Sequence, residues 1–161
     1  MSVRTIALSA VICAAAIMAG CATTARADTD AQKLATVQRM IQAWNERDWD
    51  RVFDLFAEDG VLHSMMVEPV KGRETIRAHI SKLTPDIERI ELKVRNIGVV
   101  DGTVFVERVD DFIYRGRHGA VPVVGVVEVE NGRIREWREY YDRASLLGAM
   151  GLDADYASKK H

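Results

Sequence analysis

Cysteine is nearly missing from this chain, and its two copies, Cys13 and Cys21, both precede residue 28. The remainder can form no disulfide and offers no thiolate to a metal. Proline is almost as scarce, at three residues, so long regular elements meet few forced breaks. No two of the four histidines stand at metal-ligand spacing, and no metal or cofactor is expected. A glycine-rich nucleotide loop is also missing, since Gly116 and Gly119 are isolated turn glycines. Lys and Arg number 22 against 24 Asp and Glu, with no basic stripe, which excludes nucleic acid as the expected partner. Only one long apolar run exists, residues 6–18, and it is too short to span a bilayer comfortably.

That run follows Arg4 and reads as the core of an export signal covering residues 1–27. Two cleavage sites compete. Met18-Ala19-Gly20-Cys21 resembles a lipobox, which would leave Cys21 as a lipidated N-terminus. Ala25-Arg26-Ala27 suits ordinary signal peptidase and would release a soluble protein. The lipobox is favoured, because a Cys directly after Ala-Gly is otherwise hard to explain. The expected location is periplasmic, anchored through Cys21 or else soluble or secreted. Any membrane contact would be through that lipid alone.

Residues 28–152 are long enough for one domain with an adequate core, and 153–161 read as a frayed tail. Leu34, Val37, Ile41 and Trp44 recur at helical spacing to about Glu46. Trp49, Val52, Phe53 and Phe56 predict a second helix, stopped at Gly60. A short strand over 61–65 and a loop over 66–72 lead to a third helix over 73–83. The chain then turns to β-structure. Ile90, Leu92 and Val94 alternate with charges, residues 100–103 form a hairpin turn, and strands follow over 104–114 and 121–130. Residues 115–119 read as a polar connection. Asn131-Gly132 is a two-residue hairpin signal. An unbroken register from it pairs Glu130 with Arg133 and Glu128 with Arg135, and sets Glu139 opposite Val124 and Trp137 opposite Val126. Residues 146–152 suggest a closing helix. Helices followed by a run of strands predict the α+β class, with a curved, largely antiparallel sheet wrapped on three N-terminal helices. The strand over 121–130 is apolar on both faces, so one face should line a pocket and the other should be covered by a second copy in a homodimer.

The informative anomaly is charge where a strand should be greasy. Arg108 and Asp110 share a period-2 face with Val104, Val106, Phe112 and Tyr114. Glu139 occupies the corresponding face of the last strand with Trp137 and Tyr141. Buried charge is costly unless paired, and one shared pocket would pair all three. Asp111, Glu107, Glu136, Arg138 and Asp142 alternate outward, with Asp142 also able to cap the last helix. His63 should point away from the pocket, and His79 should be half exposed.

Glu107-Arg108-Val109-Asp110, Val123-Val124-Gly125-Val126, Asn131-Gly132-Arg133-Ile134 and Trp137-Arg138-Glu139-Tyr140-Tyr141-Asp142 resemble the limonene-1,2-epoxide hydrolase family, as do Phe56-Ala57-Glu58-Asp59 and Gly72-Arg73-Glu74. The resemblance runs from about Lys33 to Leu147. It implies the cone-shaped fold of nuclear transport factor 2 and cofactor-independent, one-step hydrolysis of a small hydrophobic epoxide to a diol. It also implies roles: Glu139 as the base that deprotonates water, Asp110 as the acid that protonates the epoxide oxygen, and Arg108 as the bridge between them. The family's second acid is Asp, so Glu139 carries its carboxylate one bond, roughly 1.5 Å, further out. The family's water-holding Tyr and Asn correspond to Leu62 and Ser64. Leu62, Ser64, Val106, Phe112, Val124, Val126 and Trp137 are the expected pocket lining around a small hydrophobic molecule. Two other readings use the same residues. One is proton transfer beside a carbonyl, as in ketosteroid isomerases and SnoaL-type polyketide cyclases. The other is a hydrophobic-ligand-binding lipoprotein in which the three charges are only scaffold.

Overall fold

A computed structural model describes residues 27–153 of the chain. The export signal through Arg26, lipidation at Cys21, and all of the tail but Asp153 lie outside the described residues. No helix among the described residues is long and apolar enough to cross a membrane.

The order is α1 (Asp30–Glu46), α2 (Trp49–Asp54), β1 (Phe56–Ser64), β2 (Val70–Lys71), α3 (Arg73–Ile80), β3 (Ile87–Val100), β4 (Thr103–Tyr114), β5 (Arg117–Glu130), β6 (Arg133–Tyr141) and α4 (Arg143–Met150). The α+β class and the nuclear transport factor 2-like architecture follow directly: one six-stranded sheet in the order β2-β1-β6-β5-β4-β3, with helices on its concave face. The β1–β6 pair is parallel and the others are antiparallel, so the sheet is mixed.

Local chemistry accounts for the boundaries. Thr29 and Gln32 form a reciprocal capping box at the start of α1. Asp48 caps α2, and Asp142 caps α4 through the Ser145 N–H. Three hairpins turn on pairs with positive φ, Asp101-Gly102, Arg115-Gly116 and Asn131-Gly132, the geometry whose twist matches the flanking strands. The polar connection expected over 115–119 thus shrinks to two residues, and β5 starts at Arg117.

Two expectations are corrected. The second helix does not run to Gly60. The chain leaves the helix at Asp54, and Phe56 enters β1 opposite Ile134, with the Ile134 N–H donating to the Leu55 carbonyl at 2.8 Å. Sheet pairing outweighs the helical spacing of Trp49, Val52, Phe53 and Phe56. The third helix also ends early, at Ile80, with a further 3₁₀ turn over Thr84–Asp86.

A third correction positions the site. Glu130 does face Arg133, but β6 bulges at Arg135, so Glu128 faces Glu136, Val127 faces Trp137 and Gly125 faces Glu139. An unbroken register would put Glu136 and Arg138 on the inner face with Ile134. The extra residue reverses that alternation. Trp137 and Glu139 then join Val123, Val127 and Arg108 on the concave face, while Arg135 turns out to Asp59.

The inner face carries two apolar clusters. The larger joins α1, α2 and α3 to Val104, Val106, Val127, Ile134 and Trp137. The smaller packs Phe112, Tyr114, Val121 and Val123 beneath Met150 of α4. The outer face is partly greasy, with Phe105, Val124 and Tyr140 exposed. Between these apolar side chains lie ionic clusters, such as Asp111 with Arg89, Lys93 and His118.

Candidate active site

A cavity of about 220 Å³ opens between the clusters. Its charged wall is Arg108, Asp110 and Glu139, and its greasy walls include Trp44, Phe56, Leu62, Leu92, Val121, Val123 and Trp137. Ser64, His79 and Tyr141 add polar groups.

Arg108 starts on β4 and Glu139 on β6, so the guanidinium must cross the intervening strand. Neighbouring strands are about 4.8 Å apart, which makes the span roughly 10 Å. The crossing is possible because β5 carries Gly125 there. A Cβ on Gly125 would sit 3.0 Å from Arg108 Nη1, 3.0 Å from Val106 Cγ1 and 3.2 Å from Trp137 Nε1. Arg108 then donates to both carboxylates. Nε reaches Asp110 Oδ1 at 2.7 Å and Nη2 reaches Oδ2 at 3.1 Å, a two-pronged pair. The same Nη2 donates to Glu139 Oε1 at 2.8 Å and Oε2 at 2.9 Å. The Arg108 side chain is 3% exposed, Asp110 20% and Glu139 13%, so the reactive atoms face the cavity while the bridge is sealed beneath them.

Electrostatics follow from that layout. Burial raises the pKa of Glu139 to about 7, against the attraction of Arg108, and Asp110 adds to the rise. The Trp137 indole N–H opposes it weakly from outside hydrogen-bonding geometry. Burial also raises Asp110, with Arg108 opposing. For Arg108, burial is outweighed by the two carboxylates, so its proton is held more firmly than usual. One fixed cation and two buried acids favour a single proton shared by the acids near neutral pH.

The expected residues divide cleanly. Arg108, Asp110 and Glu139 converge, and Leu62, Ser64 and Trp137 line the cavity. Ser64 lies beside Glu139, and Leu62 beside Trp137, in the β1–β6 pairing. Val106 and Phe112 are corrected: both face inward, but Val106 packs beneath the guanidinium by Gly125, and Phe112 packs against Gly119. Val124 and Val126 are corrected more fully, because the bulge leaves them on the opposite side of the sheet, with Val124 39% exposed. His63 stays outside the cavity, with Nε2 3.0 Å from the Val67 carbonyl. His79 was missed as a lining residue. Burial, and next Lys82, lower its pKa, so it enters the cavity as neutral imidazole. Gly125 was also missed, although an isolated glycine in a valine-rich strand signals a close approach. Among the described residues, no group of three or more His, Cys, Asp or Glu is placed to hold a metal ion.

Gly125→Ala tests the crossing. Its methyl would have to displace buried neighbours by a few tenths of an ångström. Overpacking of this kind typically costs about 1–3 kcal/mol. Thermal melting should show that loss, with Arg108 pushed off its two acids.

A curved mixed sheet with helices in its concavity and an acid–arginine–acid cluster at the base defines a nuclear transport factor 2-like cone with a candidate acid–base site. The profile of the SnoaL-like domain matches residues 37–137, and the chain belongs to that family. It is 27% identical over 106 residues to the epoxide hydrolase EphG of Mycobacterium tuberculosis, covering 66% of this chain and 70% of that protein. Its fold is similar to that of an M. tuberculosis LEH-like epoxide hydrolase, at TM-score 0.67 and 24% identity, over 75% of this chain and 90% of the other. It is likewise similar to a Jannaschia protein provisionally assigned as a SnoaL-like polyketide cyclase, at TM-score 0.67 and 21% identity, over 80% and 97%.

Proposed function

We propose that this protein hydrolyses a small hydrophobic epoxide to a diol in one step. The observation that carries the reading is a single buried guanidinium bridging two carboxylates of raised pKa at the wall of an apolar cavity. The EphG relative supports it. A base whose pKa lies near the working pH combines enough ionised form with enough proton affinity. Glu139 at about 7 suits that role. Water, held by Glu139 and Ser64, attacks a ring carbon as its proton passes to Glu139. The ring C–O bond breaks, and Asp110 gives its proton to the departing oxygen. The shared proton rests mainly on Glu139, the more strongly raised acid; the reacting form carries it on Asp110, the reaction leaves one on Glu139, and transfer between the two acids restores the reacting form. Arg108 holds the two acids at fixed separation throughout.

The direct test is turnover of an epoxide panel in ¹⁸O-labelled water. A diol carrying one labelled oxygen is expected, and no diol from any member would overturn the reading. The shared proton adds a pH signature. The pair loses its last proton near pH 7, the value to which Glu139 is raised. The profile of kcat/KM should therefore fall above about pH 7. A rise through that range would mean that Glu139 works without a protonated Asp110.

The polyketide cyclase likeness and the replacement of the family's water-holding pair by Leu62 and Ser64 favour a second reading, proton transfer next to a carbonyl. Exchange of such a proton into deuterated water, without diol formation, would identify it. Export, an anchor at Cys21 and a homodimer through the outer sheet face around Val124 and Tyr140 belong to the same proposal. They are checked by mass spectrometry of the mature N-terminus and by light scattering.

A further inference from the structure

Arginine carries five N–H donors, and those of Arg108 are unevenly used. Nε gives its one to Asp110. Nη2 has two and serves three oxygens, Asp110 Oδ2 at 3.1 Å and Glu139 Oε1 and Oε2 at 2.8 and 2.9 Å. Nη1 also has two and, although buried, meets no acceptor among the described residues. The Trp137 indole N–H is buried without an acceptor in the same way. The two nitrogens stand 3.0 and 3.2 Å from one point, the place a Cβ of Gly125 would take. Buried donors left unmatched are rare and costly. Here they converge beside a carboxylate, since Gly125 is the residue opposite Glu139 on β5.

Glu139 is itself held in an uneven way. The end of a guanidinium can take a carboxylate with one oxygen on each Nη, whereas Glu139 has both oxygens on Nη2. The last torsion of a glutamate is broad, so the carboxylate can pivot on Nη2 at little cost. A pivot toward Gly125 brings one oxygen to Nη1 and the indole N–H and leaves the other on Nη2. A protonated Glu139 has less use for the extra donors, because one of its oxygens is then a donor too. An ionised Glu139 only accepts.

We infer that Trp137 is a positioning residue for Glu139: its indole N–H and Nη1 of Arg108 form a seat that the carboxylate takes when it is ionised. The role in turnover rests on the hydrolase reading, in which the reacting form has its proton on Asp110 and Glu139 ionised. The seat itself does not. It favours the reacting form over the one with the proton on Glu139. The weak downward pull of the indole on the Glu139 pKa agrees with this.

The seat is read by NMR of the wild-type protein with ¹⁵N-labelled indoles. Trp44, Trp49 and Trp137 give three indole N–H signals, and Trp44→Phe and Trp49→Phe assign them without touching Trp137. As pH rises through about 7, where Glu139 loses its proton, the Trp137 indole proton should move downfield. Arg108 and Asp110 of β4, His79 of α3 and Tyr141 of β6 are the other ionisable groups in the wall of this cavity. The same titration on Glu139→Gln separates them, because there the movement should vanish. A Trp137 signal that ignores pH, or that moves equally in Glu139→Gln, would overturn the proposal. Trp137→Phe keeps an aromatic ring beside the guanidinium, whose Cζ lies 5.6 Å from the indole centre, and removes the donor. Its kcat should fall roughly tenfold with a smaller change in KM, and the alkaline fall in kcat/KM should move to higher pH. Lost stability with kcat and the pH profile unaltered would overturn the positioning role. A pH-dependent indole signal without turnover of any epoxide would support the seat and remove only the hydrolase reading.

Discussion

Glu139→Gln is expected to abolish diol formation, by at least about 100-fold in kcat/KM, while leaving the protein more stable above neutral pH. The first half follows from removing the base. The second follows from linkage. The Glu139 pKa is raised from 4.5 to about 7 on folding, so over that interval the folded state holds a proton that the unfolded state has lost. Stability then falls as pH rises from about 4.5 to 7 and is flat beyond. Glutamine has the same size and does not titrate, and it leaves Arg108 its two-pronged pair with Asp110. The gain at about pH 8 should be on the order of 1–3 kcal/mol. Melting curves at about pH 5 and 8 check it: the wild type should lose stability between them, and the variant should lose less. A variant clearly weaker at both would mean that the Arg108–Glu139 pair outweighs the desolvation of Glu139.

The elements that carry the acid–arginine pair were legible because their signals are local. Arg108 and Asp110 interrupt an alternation of buried side chains, and Asn131-Gly132 declares its own turn. The bulge at Arg135 has no strong local signal, yet it decides which residues face the cavity. Its trace in the sequence is slight: Ile134 and Trp137 are both buried and three residues apart, a spacing that an unbroken strand cannot place on one face. Val124 and Val126 read as pocket residues in the sequence, because hydrophobicity does not say which face of a doubly apolar strand meets the helices. His79, Leu83 and Leu146 line the cavity only because α3 and α4 dock over one end of the sheet, a long-range event with no short-range signature.

Arg108→Met should be the most damaging single change in the chain, for a reason that also separates a working site from a scaffold. It strands two partly buried carboxylates with no cation between them, and breaking a buried ion network from one side typically costs about 3–5 kcal/mol. Against a total stability of about 5–15 kcal/mol, that is enough to lower the melting temperature severely. Raised carboxylate pKa values would soften the loss at low pH, so the variant should be least stable at alkaline pH. The decisive comparison is Arg108→Met combined with Asp110→Leu and Glu139→Leu. Replacing a whole buried ion network with apolar side chains of similar size is often neutral or stabilising, by about 1–4 kcal/mol. If the triple variant folds at least as stably as the wild type and has no hydrolase activity, the three charges serve chemistry that the core would be better off without. If the triple variant is as unstable as Arg108→Met, the network holds the cone together, and its presence no longer argues for catalysis.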